Sequence, residues 1–305
     1  MIPPAAIASL MIGLEEGRHG WTQQHVLILL VVALLGLVAF IKVEQGAEEP
    51  MIPLRLFSND VVRTCALLGM CAGVVTYGAG GFLSLYFQDS LFVSPTESGL
   101  RTLPTMLGVT MATFGVGRII AKTGKYKIFP VIGSVLCMLG LTGIAQITGT
   151  TPYLYLVIPM ILLGFGTASI FTTTSIASQN AVEFSDLGVA TATVLFFRSL
   201  GGSFGLAIFG TVLNSTIRSE IPKRIPIEPD KASSIIRSPE QIASLPLASK
   251  QAVVDSLAMG VSRIYWLCAA TMVIALLLAV ILREQPLRLR AGLSDAMEKN
   301  ESATA

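Results

Sequence analysis

Residues 61–213 form a stretch of 153 positions that carries only eleven charged side chains. The next 48 residues, 214–261, carry eleven as well. Across the whole chain 13% of residues are charged, against about a quarter in an ordinary soluble domain. A long stretch so poor in charge is typical of segments that cross a lipid bilayer. Such segments form helices, because each backbone N–H must bond within its own segment. The sequence therefore predicts a membrane helix bundle with one large aqueous loop, and its net charge of +2 argues against nucleic-acid binding by bulk charge.

A transmembrane helix needs about 20 mainly apolar residues, and seven segments reach that length. They are 22–42, 62–88, 99–121, 128–148, 153–178, 188–213 and 262–282. The uncharged run from Ile128 to Val182 is too long for one helix, and the turn residues at 149–152 divide it into two. Residues 5–14 are apolar but too short to span, and we interpret them as the last turns of a preceding helix.

Lys and Arg side chains near the span ends predict the orientation, because short loops rich in these residues stay in the cytosol. Eleven of them fall on one side of the predicted bundle: Lys42, Arg55, Arg63, Arg118, Lys122, Lys125, Lys127, Arg283, Arg288, Arg290 and Lys299. The short loops on the other side, 89–98 and 149–152, contain none. We therefore expect a multi-pass membrane protein with a cytosolic C-terminus.

The cytosolic connection after the third predicted span reads GRIIAKTGKYK over residues 117–127. Gly124 permits a tight reverse turn, since glycine reaches positive φ without a steric penalty. The cations around the turn either fix the topology or pair with helix C-termini and acidic groups. The segment resembles the G-x-x-x-D-x-x-G-R-[RK] loop of the major facilitator superfamily, with Ala121 in place of the Asp. The resemblance implies a cytosolic gating loop formed by Gly117, Arg118, Lys122, Gly124, Lys125 and Lys127.

Three further stretches are similar to one branch of that family, the 14-span drug:proton antiporters (EmrB/QacA-like). They are EPMIPLRLF at 49–57, LYFQ at 85–88 followed by SPTESGL at 94–100, and FRSLGGSFG at 197–205. The resemblance implies an all-α polytopic bundle of about seven transmembrane helices. On this resemblance, the bundle corresponds to the C-terminal six-helix half of a major facilitator fold plus one extra helix. The resemblance also implies that the first six helices of the transporter are missing from this sequence.

The resemblance also implies a division of the chain into six regions. These are a stub of a preceding helix with an outer loop (1–20), an extra central helix with a cytosolic linker (21–60), helices of the second half (61–213), an extracytoplasmic loop (214–261), the last transmembrane helix (262–283) and a cytosolic tail (284–305). Within the loop, Ser238-Pro239-Glu240 is a helix-start signal. Because Val253, Val254, Leu257 and Val261 recur at helical spacing, we expect amphipathic helices on the outer membrane surface.

Glycines at a spacing of four occur in two predicted spans, at Gly69 and Gly73 and again at Gly201 and Gly205. Small residues at this spacing let helices approach closely. Two interpretations remain open: plain helix packing, or helix bending during a transport cycle.

Arg198 lies about ten residues into its predicted span, close to the middle of the bilayer. A charge at that depth is costly and should face the bundle interior. We expect it to line an intramembrane pathway or else to lock two helices together. Its polar partner is then Gln146, a Ser or Thr side chain, a free carbonyl or a group of the missing half. At the outer mouth, Asp89 and Arg101 flank one loop and either pair or remain solvated.

The resemblance implies proton-coupled multidrug efflux by alternating access across the plasma membrane of a bacterial cell. Its implied partners are a small amphipathic drug or metabolite, protons, the lipid bilayer and the missing N-terminal half, with no cofactor, no metal and no nucleic acid. No Asp or Glu lies well inside a predicted span, so we expect the proton-coupling acids in the missing half and no transport by the fragment alone. A channel or scaffold subunit is the alternative. An enzyme is disfavoured because no nucleophile lies beside a base in the spans, and Cys65, Cys71, Cys137 and Cys268 lack metal or redox spacing.

Overall fold

The computed structural model describes residues 54–225 and 246–287, together with Ile28 and Val31. All regular structure in these ranges is helical, as the sequence predicted. The main helices are α1 (Asp60–Leu85), α2 (Pro95–Arg101), α3 (Leu103–Thr123), α4 (Ile128–Ala145), α5 (Tyr153–Asn180), α6 (Leu187–Arg224) and α7 (Leu247–Ile281). A π-helical turn, Tyr86–Ser90, extends α1, and short 3-10 turns cover Leu54–Ser58 and Phe184–Asp186.

Six helical segments in the described ranges are long and apolar enough to cross a membrane. They coincide with six of the seven predicted spans. The remaining span, 22–42, and the helix stub at 5–14 lie outside the described residues except for Ile28 and Val31. The segment predicted at 99–121 is interrupted at Thr102, where α2 ends and α3 begins. Pro104 accounts for the break, because proline has no N–H to continue the hydrogen-bond ladder of α2.

The helix ends follow from local chemistry. The Asn59 side chain accepts a hydrogen bond from the Val61 N–H at 2.9 Å and so caps α1. Ser94 caps α2 through the Glu97 N–H at 3.2 Å, with Pro95 at the first helical position. Gly124 ends α3 at φ 72°, and its N–H donates to the Ile120 carbonyl at 2.8 Å. This is the left-handed turn that the loop sequence predicted.

The predicted outer loop at 214–261 is shorter in the structure. Helix α6 continues to Arg224, and α7 already begins at Leu247. Val253, Val254, Leu257 and Val261 are at most 5% exposed, and all but Val254 belong to the main hydrophobic core. The sequence predicted separate amphipathic helices on the outer membrane surface. In the structure these residues are helical but belong to α7, and packing against neighbouring helices buries their apolar face. The Ser238-Pro239-Glu240 helix start lies outside the described residues.

Each helix of the bundle packs on a small set of neighbours. Helix α1 packs mainly on α6, α3 packs on α5, and α5 also packs on α4. Helix α7 closes the bundle against α4, α1 and α6. Three buried tyrosines tie elements together, for example Tyr265, whose hydroxyl donates to the Ala79 carbonyl at 2.7 Å. Buried hydroxyls usually require such a partner, so this bond fixes the height of α7 against α1.

The bundle has two ends that differ in their turns. The Gly124 end carries the α3–α4 turn, the start of α1 and α6, and the end of α7. The Gly149 end carries the α4–α5 turn, where the Tyr86 hydroxyl donates to the Thr148 carbonyl at 2.8 Å.

Candidate functional site

Helices α1 and α6 cross with their backbones in contact. A Cβ atom placed on Gly73 would lie 2.0 Å from the Arg198 carbonyl oxygen, and one on Gly201 would lie 2.1 Å from the Met70 carbonyl oxygen. Gly69 and Gly205 lie along the same contact, where added Cβ atoms would meet Val194 at 3.3 Å and Val74 at 3.0 Å. All four packing glycines named from the sequence therefore lie at one helix–helix contact, with no room for a side chain at Gly73 or Gly201.

A second close crossing joins α3 and α5. A Cβ atom on Gly108 would lie 2.1 Å from the Ile161 carbonyl oxygen, and one on Gly164 would lie 2.0 Å from the Thr105 carbonyl oxygen. Gly108 belongs to a stripe of buried residues on α3 that recurs every four positions through Ala112, Val116 and Ile120. Neither glycine of this pair was among the packing residues predicted from the sequence, although Gly108 and Ala112 show the same small-residue spacing.

Between these two crossings lies a cavity of about 310 Å³. Its walls come from α3, α5 and α6: Val109, Thr113, Ala168, Phe171, Thr172, Thr174, Ser175, Thr191, Val194, Leu195 and Arg198. The lining combines aliphatic side chains, hydroxyls, one aromatic ring and one cation. No Asp or Glu contributes to it in the described part of the chain.

The Arg198 side chain is the charged group of this cavity. Its Cζ atom lies 4.6 Å from the centroid of the Phe171 ring, within the range of a cation–π contact. Its Nε atom is buried and has no hydrogen-bond partner among the described residues. Since the Arg198 carbonyl touches Gly73 across the α1–α6 crossing, the same residue connects the tight contact on one side of α6 with the cavity on the other.

Gln146 is not a partner of Arg198. It ends α4 at the Gly149 end, is exposed, and donates to the Thr142 carbonyl of its own helix at 3.3 Å. The predicted pairing was wrong because α4 does not line the cavity. Phe171 takes that place, and the sequence signal for it was an aromatic residue beside the hydroxyl run Thr172–Ser175.

Asp89 and Arg101 do not form the ion pair considered from the sequence. Arg101 donates instead to Glu97 at 2.6 Å, four residues earlier, and its guanidinium lies 5.5 Å from the centroid of the Tyr153 ring. Asp89 is 8% exposed in the π-helical turn that extends α1. The break at Thr102 directs Arg101 toward α5, which explains why the two charges do not meet.

Most of the predicted gating loop is at the surface of the Gly124 end. Arg118, Lys122 and Lys125 are exposed and form no ion pair with the described part of the chain. A Cβ atom on Gly117 would meet only the Thr172 methyl group, at 3.9 Å. These exposed cations therefore form a collar around the turn.

The loop is held by the segment that follows α7. The Glu284 carboxylate accepts hydrogen bonds from the Tyr126 N–H at 3.0 Å and the Lys127 N–H at 3.5 Å, next to the start of α4. The Tyr126 hydroxyl donates to the Arg283 carbonyl at 3.1 Å and accepts from the Gln285 N–H at 2.8 Å. Burial raises the pKa of the Tyr126 phenol, so it stays neutral. Sequence reasoning missed this clamp, because its halves are 157 to 159 residues apart.

Ion pairs between distant segments also lie at the Gly124 end. Arg55 donates to Asp186 at 2.7 Å, which joins the segment before α1 to the start of α6. Arg283 contacts Asp60 at 3.0 Å and so joins the end of α7 to the start of α1. The arginines are 69% and 77% exposed, so each pair is worth only about 0–1 kcal/mol. They set the register of the helix ends more than they add stability.

Comparison with known proteins connects this bundle to membrane transporters. Residues 6–206 match the Major Facilitator Superfamily. The chain is 31% identical over 269 residues to an uncharacterised major-facilitator-type transporter of Mycobacterium tuberculosis (strain H37Rv), which covers 88% of this chain and 39% of that protein. It is 30% identical over 212 residues to the multidrug transporter protein MdtP of Bacillus subtilis (strain 168), covering 68% of this chain and 39% of that protein.

A tetracycline resistance determinant of Streptomyces rimosus is 31% identical over 209 residues, covering 68% of this chain and 60% of that protein. Among solved structures, a bacterial homologue of the human lysosomal transporter Spinster, in an inward-facing and occupied conformation, aligns with a TM-score of 0.56 at 14% identity. The alignment covers 91% of this chain and 66% of that one, and at this identity it shows a shared fold. The chain spans about two fifths of the length of the Mycobacterium and Bacillus relatives.

Proposed function

Because this chain belongs to the Major Facilitator Superfamily, we propose that it forms the second half of a proton-coupled multidrug efflux transporter. The observation that carries the proposal is the cavity between α3, α5 and α6, into which Arg198 brings a positive charge. A cavity of about 310 Å³ is at the lower end of the range for small-molecule sites. Amphipathic lining and a few polar groups are what such sites need to hold and orient a ligand.

A missing N-terminal half is proposed as the second wall of the pathway. Support comes from the length of the relatives, of which this chain covers two fifths, and from the apolar surface of α3. Met106, Met111 and Phe114 on that helix are 60–76% exposed. Surfaces of this kind must be covered by lipid or by other helices. In this proposal the central helix predicted at 22–42 belongs between the two halves.

The proposed orientation places the Gly124 end and the C-terminus in the cytosol of a bacterial cell. Support comes from the Lys and Arg side chains of the short loops, which collect at this end. In this orientation the cationic collar around Gly124 faces the cytosol, and the Gly149 turn faces outward. Proton coupling is assigned to acidic side chains of the missing half.

The test is drug accumulation in cells that express the complete reading frame containing these 305 residues. Wild-type cells should accumulate less of a fluorescent drug than cells with an empty vector, and a proton-gradient uncoupler should remove the difference. Arg198→Ala should abolish export while the protein still reaches the membrane. The matched control is Arg224→Ala on the same helix, which removes an exposed pair with Asp255 and should leave export intact.

The results separate the parts of the proposal. Export that survives the uncoupler would contradict proton coupling but not transport. Export that survives Arg198→Ala would remove the cavity from the pathway. A complete protein that never lowers accumulation of any drug tested would favour the channel or scaffold alternative.

A further inference from the structure

The cavity contains a cation whose charge the described helices leave uncompensated. The eleven lining residues include Arg198 and no acidic side chain. The carboxylate of Asp186, at the start of the same helix, is already occupied by Arg55 at 2.7 Å. A guanidinium in a site walled by low-dielectric helices therefore creates a positive potential that attracts an anion.

The charged donor of the cavity lacks an acceptor at one of its nitrogens in the described part of the chain. The buried Nε of Arg198 lacks a partner, and a buried donor without an acceptor destabilises a protein until one is supplied. The Phe171 ring at 4.6 Å covers one face of the guanidinium, so new partners must approach its edge. Along that edge the guanidinium N–H groups form the fork that binds both oxygens of a carboxylate.

The hydroxyls of the cavity fall into two groups. Those of Thr113, Thr174 and Thr191 donate to carbonyls of their own helices, all at 2.9 Å, so they offer a ligand only acceptor positions. The half-buried Thr172 and Ser175 lie about one helical turn apart on α5. Their hydroxyls form no hydrogen bond with the described residues. The strongest donor available to a ligand is therefore the Arg198 guanidinium, and these two hydroxyls are weaker ones. Together they can donate to the oxygens of an anion.

The remaining lining is apolar. It consists of Val109, Ala168, Phe171, Val194 and Leu195. Such walls favour a ligand with an aromatic or aliphatic body next to its charged group. We propose that Arg198 binds the negative group of the transported molecule, so that the substrates are amphipathic anions or zwitterions that carry a carboxylate or a deprotonated hydroxyl. This inference rests on the proposed transport role and specifies the substrate class of the same site.

The first experiment measures binding, which does not depend on transport. The purified product of the complete reading frame is titrated into fluorescein, a carboxylate dye, and into rhodamine 6G, a cationic ester with the same ring system, and fluorescence polarisation is recorded. Wild-type protein should prefer fluorescein. Arg198→Gln should weaken fluorescein binding by about tenfold or more, the loss expected for one charge-assisted hydrogen bond. Rhodamine 6G binding should not weaken.

Two variants control the interpretation. Arg198→Lys keeps the positive charge but lacks the paired N–H groups of the guanidinium. Its fluorescein affinity should recover a large part of what Arg198→Gln loses. Arg224→Gln removes an arginine from the far end of α6 and should leave both affinities unchanged. A matching thermal stability of Arg198→Gln and the wild type shows that its binding loss is local.

The outcomes are decisive in both directions. Equal fluorescein affinity of the wild type and Arg198→Gln would overturn the inference, because the guanidinium would then be neutralised by another part of the protein. A wild-type preference for rhodamine 6G, or no fluorescein binding at all, would overturn it as well. If the binding pattern holds but cells do not export fluorescein, the substrate class stands and the proposed transport role fails.

Discussion

The two faces of helix α6 differ in how they meet their neighbours. Toward α1 the helix presents backbone, and Gly73 and Gly201 leave no space for even one methyl group. Toward α3 and α5 the same helix leaves a cavity of about 310 Å³ and projects a charged side chain into it. One face makes backbone contact at Gly73 and Gly201, and the other borders a gap that contains a cation with no acidic partner among the described residues.

The two faces are coupled through Arg198. Its carbonyl oxygen rests on Gly73 and its guanidinium lies over Phe171. Backbone contact is the stiffest form of helix packing, since no rotamer change can absorb a displacement. The α1–α6 crossing therefore acts as the support that positions Arg198. Substitutions at the crossing should impair folding, and substitutions in the cavity should impair ligand binding.

The largest effect is expected from Gly73→Leu. Its Cβ would lie 2.0 Å from the Arg198 carbonyl oxygen, so the helices must separate. Overpacking against side chains costs about 1–3 kcal/mol, and an obstacle made of backbone should cost more. Size-exclusion chromatography of detergent extracts should show little folded protein. Gly80→Leu on the same helix is the control, because a Cβ there has no neighbour within 4 Å. Equal behaviour of the two variants would remove the distinction between the two faces.

A smaller effect, confined to function, is expected from Phe171→Leu. The substitution keeps an apolar side chain but removes the ring on which the Arg198 guanidinium rests, a contact worth about 0.5–2 kcal/mol. Ligand affinity should fall several-fold, and the unfolding temperature should change little. Phe114→Leu, which changes a 76% exposed ring on α3, is the matched control. A large loss of stability with unchanged affinity would reverse the roles assigned to the two faces.

The smallest effect is expected at a position away from both faces, from Glu284→Ala. It removes the acceptor of the Tyr126 and Lys127 N–H groups and should cost about 1 kcal/mol. The melting temperature should fall slightly, with substrate selectivity unchanged. Glu284→Gln retains one carbonyl oxygen and should lie between the wild type and Glu284→Ala. If Glu284→Ala altered selectivity, the Gly124 end would have to be counted as part of the site.

The sequence was sufficient for features that depend on neighbours along the chain. Six spans, the turn at Gly124 and the small-residue spacing of Gly69, Gly73, Gly201 and Gly205 follow from apolar run length, backbone conformation and helical periodicity. The sequence also selected Arg198, because a charge in a long apolar run is costly wherever the helix packs. Errors arose where a side chain had several reachable partners, as for Gln146, Asp89 and Arg101.

Apolar length and the placement of charge in the sequence determine that this chain forms membrane helices and that one of them carries a cation within its apolar run. The reason is that each side chain has its own free-energy cost of transfer into the bilayer. That cost depends on residue type and position, both of which the sequence gives. The partners of that cation depend on the angle and height at which α3, α5 and α6 meet. Those are decided by backbone contact at glycines far apart in sequence. The stacking on Phe171, the cavity and the Glu284 clamp are therefore properties of the packed bundle.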